Sequence, residues 1–318
     1  MNYGKYRARD GGGGLKKVVS VSLGSSKRDH SVKVQFLGEW FEITRRGTDG
    51  DFQRAVDLLR ELDGQVDAIG LGGIDIYLRV RDRRFAIADG LKLMQVVEKT
   101  PVADGSGLKD TLEREAVYRL KEKGLLAPGL PVLMVCALDR FGMAEALVEC
   151  GCDVTFGDLI FVAGMPYPVK TLVELEELAV KMLPQMAGLP FHLLYPTGEK
   201  QDTVDDKKAA LFLPYYRDAR VIAGDFHLIR RYLPPQRAGQ LVLTNTTTRE
   251  DVELLKERGA GILATTTPEL EGRSFGTNVM EALFLAFLGK AWEDATREDY
   301  LDLMRRLEYQ PRLTYFSA

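Results

Sequence analysis

Residues 131–145, PVLMVCALDRFGMAE, decide the reading of this chain. An apolar run feeds a short polar loop, and Gly142 then opens a stretch of helical character. A strand, a tight turn and a helix in that order begin a dinucleotide-binding unit. In the G-x-G-x-x-G fingerprint the glycines allow the tight turn, the close approach of a pyrophosphate, and close packing of helix on strand. Those slots here hold Ala137, Asp139 and Gly142, so only the packing glycine is present. A carboxylate on Asp139 repels a pyrophosphate unless Arg140 or another cation compensates it. An ordinary strand-to-helix turn therefore stands beside the nucleotide reading. The next expected strand, 153–156, leads to Asp158, about twenty residues past the turn, where such folds place a carboxylate on the ribose. An acid there repels a 2′-phosphate and favours NAD as cofactor, with NADP still open.

The 318 residues are 45% hydrophobic and 28% charged, enough for two ordinary cores. With 43 lysines and arginines against 46 acids the formal net charge is -3. No general basic field recommends nucleic acid or an anionic membrane as partner. The longest apolar stretch, 282–288, is far shorter than the roughly twenty residues that span a bilayer. Cys136, Cys150 and Cys152 are the only cysteines. One C-x-C pair without histidines at ligand spacing predicts no metal site, and so sparing a use of cysteine fits a cytoplasmic protein. Residues 1–14, with a run of four consecutive glycines at 11–14 and no apolar core, read as a flexible arm.

Downstream of the arm, 17–23, 32–36 and 40–44 read as strands, 52–62 as a helix, and 66–71 as a further strand. The turn at 102–109 opens an amphipathic helix expected to run to about Lys123, and the Gly-Pro-rich segment 124–131 separates two domains. The predicted division is 15–127, an α/β substrate domain, then 128–270, a Rossmann-like doubly wound parallel sheet. Helices in 271–318 pack near the junction. Strands are expected at 191–195, 219–223, 240–244 and 261–264, with helices between them. Ligands of such sheets settle beyond the carboxyl ends of the strands. The loops searched for function are therefore Asp158, 197–200, Gly224-Asp225, 244–248 and 265–267.

Two of those loops, LTNTTTRED and LATTTPELEGRSFGTN, cluster hydroxyls and amides at successive strand ends. Thr244, Asn245 and Thr246 are expected to hydrogen-bond a ribose or amide, while Thr248 caps the helix that follows. Arg273 and Asn278 lie just ahead of an apolar helix, where a guanidinium and free amides are expected to grip a carboxylate or phosphate, the alternative for Arg273 being an interdomain salt bridge. Ser106 and Lys109 sit in the Gly-Ser-Gly turn, a second anion-binding candidate whose alternative is a plain turn capped by Ser106. His30 and His227 are open as general acids or bases or as exposed loop residues, and His192 reads as structural.

The segments VSVSLGSSKRDH, GTDGD, AIGLGGIDIYL, TPVADGSGLKDTLERE and GRSFGTNVMEAL resemble bacterial proteins labelled quinate 5-dehydrogenase, of shikimate and quinate dehydrogenase architecture. The resemblance spans most of residues 15–290. It implies NAD(P)-dependent oxidation of a cyclohexane alcohol, with a lysine and an aspartate near the reacting hydroxyl and paired serines on the carboxylate. Ser25-Ser26-Lys27 echoes the serine pair in composition. On loop position Lys109 is the proton-relay candidate beside Asp75 or Asp104, and Arg273 or Lys27 holds a carboxylate. The substrate is then a small polyhydroxy carboxylic acid, and a homo-oligomer is possible. The rival readings are a non-catalytic sensor of a metabolite or nucleotide, and a transferase using a nucleotide-activated donor.

Overall fold

The computed structural model describes residues 14–194, 206–234, 239–267, 269–270 and 273–316. The arm expected at 1–14 and the loop 197–200 lie, respectively, almost entirely and wholly outside the described residues. The chain builds a first lobe from β1 (Lys16–Ser22), β2 (His30–Phe36) and β3 (Glu39–Gly47), followed by α1 (Phe52–Leu62) and β4 (Ala68–Gly72). A hairpin of β5 (Tyr77–Val80) and β6 (Arg83–Ala86), then α2 (Ala88–Met94), β7 (Val102–Ala103), α3 (Ser106–Asp110) and α4 (Leu112–Glu122), complete its first pass. The sheet order is β2-β3-β1-β4-β7, parallel except for the antiparallel edge β2.

The second lobe begins with β8 (Pro131–Met134), α5 (Phe141–Glu149) and β9 (Asp153–Phe156), then a π-helical turn at Asp158–Val162. There follow α6 (Leu172–Met186), α7 (Phe191–Leu194), α8 (Asp206–Asp218), β10 (Val221–Ala223), α9 (Phe226–Arg231), β11 (Leu241–Thr244), α10 (Arg249–Glu257) and β12 (Ile262–Thr265). A small hairpin, β13 (Glu269–Leu270) with β14 (Arg273–Ser274), leads to α11 (Thr277–Leu288), α12 (Arg297–Arg306) and β15 (Arg312–Tyr315). The sheet order is β15-β12-β11-β10-β8-β9, with β15 alone antiparallel. Counted within the lobe the parallel strands run 2-1-3-4-5, so the order reverses between β8 and β10.

Alternation along each strand explains the layers. Val132 and Met134 face one side of β8 and join the cluster that holds α5 and α6, whereas Leu133 and Val135 face the other and join that of α8, α9 and α10. Val19 and Val21 of β1 belong to the first of these clusters, which therefore runs from lobe to lobe without a break. The opposite side of β1, with Val18, is covered by α11 and α12. The chain thus returns to its first lobe after building the second, and β15 then crosses back to close the second sheet.

Three expectations are corrected. Residues 191–194 are a helical turn, α7, and not a strand. The helix expected to open from the turn at 102–109 and run to about Lys123 is broken at Thr111, whose hydroxyl donates to Gly107 O at 2.8 Å, so α3 and α4 are separate. Residues 271–318, expected as helices, also supply the edge strand β15.

Candidate functional site

The carboxyl ends of both sheets open on one cleft of about 1820 Å³, lined from the first lobe by Ser22, Asp75 and Lys109 and from the second by Asp139, His227 and Asn245. At its floor Lys109 of α3 reaches across the lobes. Its Nζ lies 2.6 Å from Asp75 Oδ1 and 2.5 Å from Asp139 Oδ1. All three groups are largely withdrawn from water, with side-chain exposures of 11%, 8% and 26% for Lys109, Asp75 and Asp139. Burial, added to the repulsion of Asp139, pushes the Asp75 carboxyl up to about 7 despite Lys109. Burial works the same way on Asp139, but Lys109 and Arg140 outweigh it and hold that carboxyl below its ordinary value. Lys109, desolvated yet flanked by two carboxylates, stays firmly protonated. One lysine thus serves two acids, and Asp75 takes or gives a proton near neutrality.

Local sequence explains the approach. Gly105, with φ +92°, takes the left-handed conformation at the start of α3. A Cβ there would stand 2.8 Å from Asn278 N, so only glycine lets the α3 turn meet the start of α11. Asp104 fixes the same turn: its Oδ1 accepts from Ser106 N at 2.9 Å and its Oδ2 from the amides of Ile76 and Tyr77 at 2.7 and 2.9 Å. Asp75 is thereby carried opposite Lys109.

The turn after β8 holds no open phosphate seat. Both oxygens of Asp158 accept from Ala137 N, at 2.9 and 3.0 Å, and Oδ1 also accepts from Leu138 N at 2.9 Å. Asp158, expected on a ribose, is committed to the turn itself, and burial raises its carboxyl to about 6. Gly142 leaves space for the first lobe: a Cβ would meet the backbone of Asp110 and Lys109 at 3.0 and 3.1 Å. Its absence of side chain serves lobe-to-lobe packing. Arg140, 2% exposed, pairs across the interface with the fully buried Glu113 and within its own lobe with Asp225 at 2.9 Å. Burial opposes ionisation of Asp225, but His227 and Arg140 hold it down at about 2.

The other candidates divide. Lys27, Thr246, Asn245 and Asn278 line the cleft. Asn278 Nδ2 donates to Ser20 Oγ at 3.0 Å, Asn245 Nδ2 to Asp225 at 3.3 Å, and Thr246 Oγ1 to Ser274 O at 3.2 Å. Thr244 is fully buried beneath, donating to Gly224 O at 2.8 Å. Ser25 accepts from Lys27 N at 3.2 Å and caps a short helical turn, and Ser106 is buried without lining the cleft. The side chain of Arg273 lies outside the described residues. His30 and His227 both line the cleft, and His227 Nε2 stands 3.0 Å from Arg28 Nη1 of the other lobe. His192 lines it from α7. Among the described residues no cluster of His, Cys, Asp and Glu could hold a metal ion.

Sequence reasoning missed Arg45 and Glu113. Arg45, third from the end of β3, donates to Ser25 O at 2.8 Å, to Asp29 at 2.8 Å and to Ser22 Oγ at 3.0 Å. It lies just past the strand read at 40–44, where a charge marks only a polar turn. Glu113 read as one more charge on an amphipathic helix.

These features define a class: a mixed α/β protein of two lobes with parallel sheets, whose strand ends share a polar cleft. The chain belongs to the family described as Domain of unknown function (DUF8754), whose model matches residues 107–316. A second model, Domain of unknown function (DUF8753), matches residues 17–104. No curated protein matches. Solved structures similar in outline include an ABC transporter solute-binding protein from Burkholderia multivorans, 13% identical over 96% of this chain and 100% of that one, TM-score 0.37. A periplasmic sugar-binding protein from Pseudomonas fluorescens is 14% identical over 95% and 87%, TM-score 0.38. An arabinose-binding protein from Geobacillus stearothermophilus is 12% identical over 89% and 91%, TM-score 0.35.

The resemblance to quinate dehydrogenases is therefore corrected. Asp158 fills the turn on which the oxidoreductase reading rested. The alternatives that need a nucleotide at that turn, a nucleotide sensor and a transferase with a nucleotide-activated donor, lose the same support. The cytoplasmic expectation is not carried forward, because sparing use of cysteine does not fix a compartment. Among the described residues no helix is long and apolar enough to cross a membrane.

Proposed function

We propose that this chain binds a small, hydroxyl-rich molecule of monosaccharide size or somewhat larger in the cleft between its lobes. The observation that carries the reading is Lys109, an ammonium shared by one carboxylate from each lobe at the cleft floor. Paired acceptors beside a fixed donor suit vicinal hydroxyls: carboxylate oxygens accept from two neighbouring OH groups while the ammonium donates to their lone pairs. Asn278, Asn245 and Ser22 add amide and hydroxyl groups around that floor, as expected of a site that fixes a polar ligand by a few convergent groups. The reversal of strand order between β8 and β10, where open α/β sheets place ligands, falls at Cys136 and Asp225, both on the cleft wall.

Calorimetric titration with a panel of aldoses and polyols tests this. The parent is expected to bind at least one member, and Lys109→Met, which leaves two facing carboxylates, is expected to weaken that binding by at least about tenfold, roughly 1.4 kcal/mol. Binding that survives Lys109→Met unchanged contradicts the assignment.

A further inference from the structure

Charge in the cleft is sorted by position. The end around Lys109 and Arg140 carries Asp75, Asp104, Asp139, Asp158 and Asp225, all buried or half-buried. The partly or fully exposed rim reverses the balance. Lys27, Arg28 and Arg45 from the first lobe and Arg231, Arg249 and Arg312 from the second outnumber Asp29, Glu250 and Glu253. In a chain of net charge -3 this rim is a local excess, not a reflection of composition. Arg45 is anchored as well as placed, its guanidinium fixed by Ser22, Ser25 and Asp29. Arg28 meets His227 of the facing lobe, so the cationic groups converge from both sides.

We propose, resting on the binding reading above, that the ligand is an anion-bearing polyol, a sugar acid or sugar phosphate, which enters with its hydroxylated end first and leaves its anionic group at the rim. The acidic end excludes the opposite orientation. The amides of Ala137 and Leu138, which would otherwise receive an anion, are already taken by Asp158, and the ionised Asp139 repels a second negative charge. The rim does the reverse: clustered cations around a low-dielectric mouth raise the local concentration of anions and steer them in.

The test uses matched panels of neutral aldoses, the corresponding aldonic and uronic acids, and aldose phosphates, screened by thermal shift and then measured by calorimetry. At low salt an acid or a phosphate is expected to bind at least tenfold tighter than its neutral parent sugar, and the gap is expected to shrink in 0.5 M salt, roughly the regime in which exposed charges are screened. The double variant Lys27→Glu/Arg249→Glu, both exposed side chains, is expected to lower the acid-to-neutral affinity ratio by about tenfold or more while its circular dichroism stays that of the parent. Which charged panel binds separates the carboxylate from the phosphate source. Neutral sugars binding as tightly as their charged partners, or a ratio unmoved by the double variant, overturns this inference and leaves the binding reading standing. Absence of binding across all three panels overturns both.

Discussion

At the scale of the residue, the floor of the cleft is a problem of one cation and two anions. Lys109 neutralises Asp139, and Asp75, the more deeply buried of the two acids, retains a proton to about pH 7. An aspartate in an unfolded chain releases its proton near pH 3.9. Between roughly pH 4 and 7 the folded state therefore binds more protons than the unfolded state, and the contribution of Asp75 to stability falls as pH rises through that window. Asp158, raised to about 6, adds a slope of the same sign. Urea denaturation of Asp75→Asn is expected to show a flatter decline from pH 5 to pH 8 than the parent, the difference being on the order of 1 kcal/mol or more. Parallel curves would place the proton elsewhere.

At the scale of the element, the sequence was most informative where periodicity and end signals agree. The amphipathic run of α1 is capped by Asp51, whose side chain accepts from Arg54 N, and its bounds were readable. Thr248 was read as the cap of α10 and forms a capping box with Asp251. The stretch that became α7 was misread because four consecutive apolar or aromatic positions carry no period. The route of Glu113 to Arg140 was invisible for a different reason: the partners lie on separate elements, and only the packing of α4 on α5 joins them. Loop position placed Lys109 beside Asp75 or Asp104; the structure brings it to Asp75 while Asp104 binds backbone amides, and Asp139 as the third member was masked by its slot in the glycine fingerprint. The α3 turn offers a direct check. Gly105→Ala imposes a left-handed backbone on a residue with a Cβ and drives that atom into Asn278 N. A loss of about 2–4 kcal/mol is expected in urea melts, from strain and overpacking together. A near-neutral substitution would show that α11 is free to move away from α3.

At the scale of the whole molecule, the lobes are clamped along one flank of the cleft. The apolar cluster that runs between them is joined by Arg140 with Glu113, and by Arg114 with Glu145 at 2.5 Å. Glu113 is fully buried, so its charge depends on the guanidinium across the interface. Arg140→Met is expected to cost about 3–5 kcal/mol by leaving that carboxylate unpaired, whereas Arg140→Met with Glu113→Leu is expected to recover most of the loss. A double variant no more stable than the single one would mean that the pair is not coupled. Clamped on this side, the cleft is set by the fold before any ligand arrives, with strand ends of both sheets already facing it.

The claim on which the account turns is that one ligand touches both lobes at once, and amide hydrogen exchange measured with and without a saturating sugar acid or sugar phosphate tests it most directly. The account predicts added protection in both lobes together, at residues 71–76 and 104–109 of the first and 136–140 and 245–248 of the second. Protection confined to one lobe, or falling away from these strand ends, would contradict it.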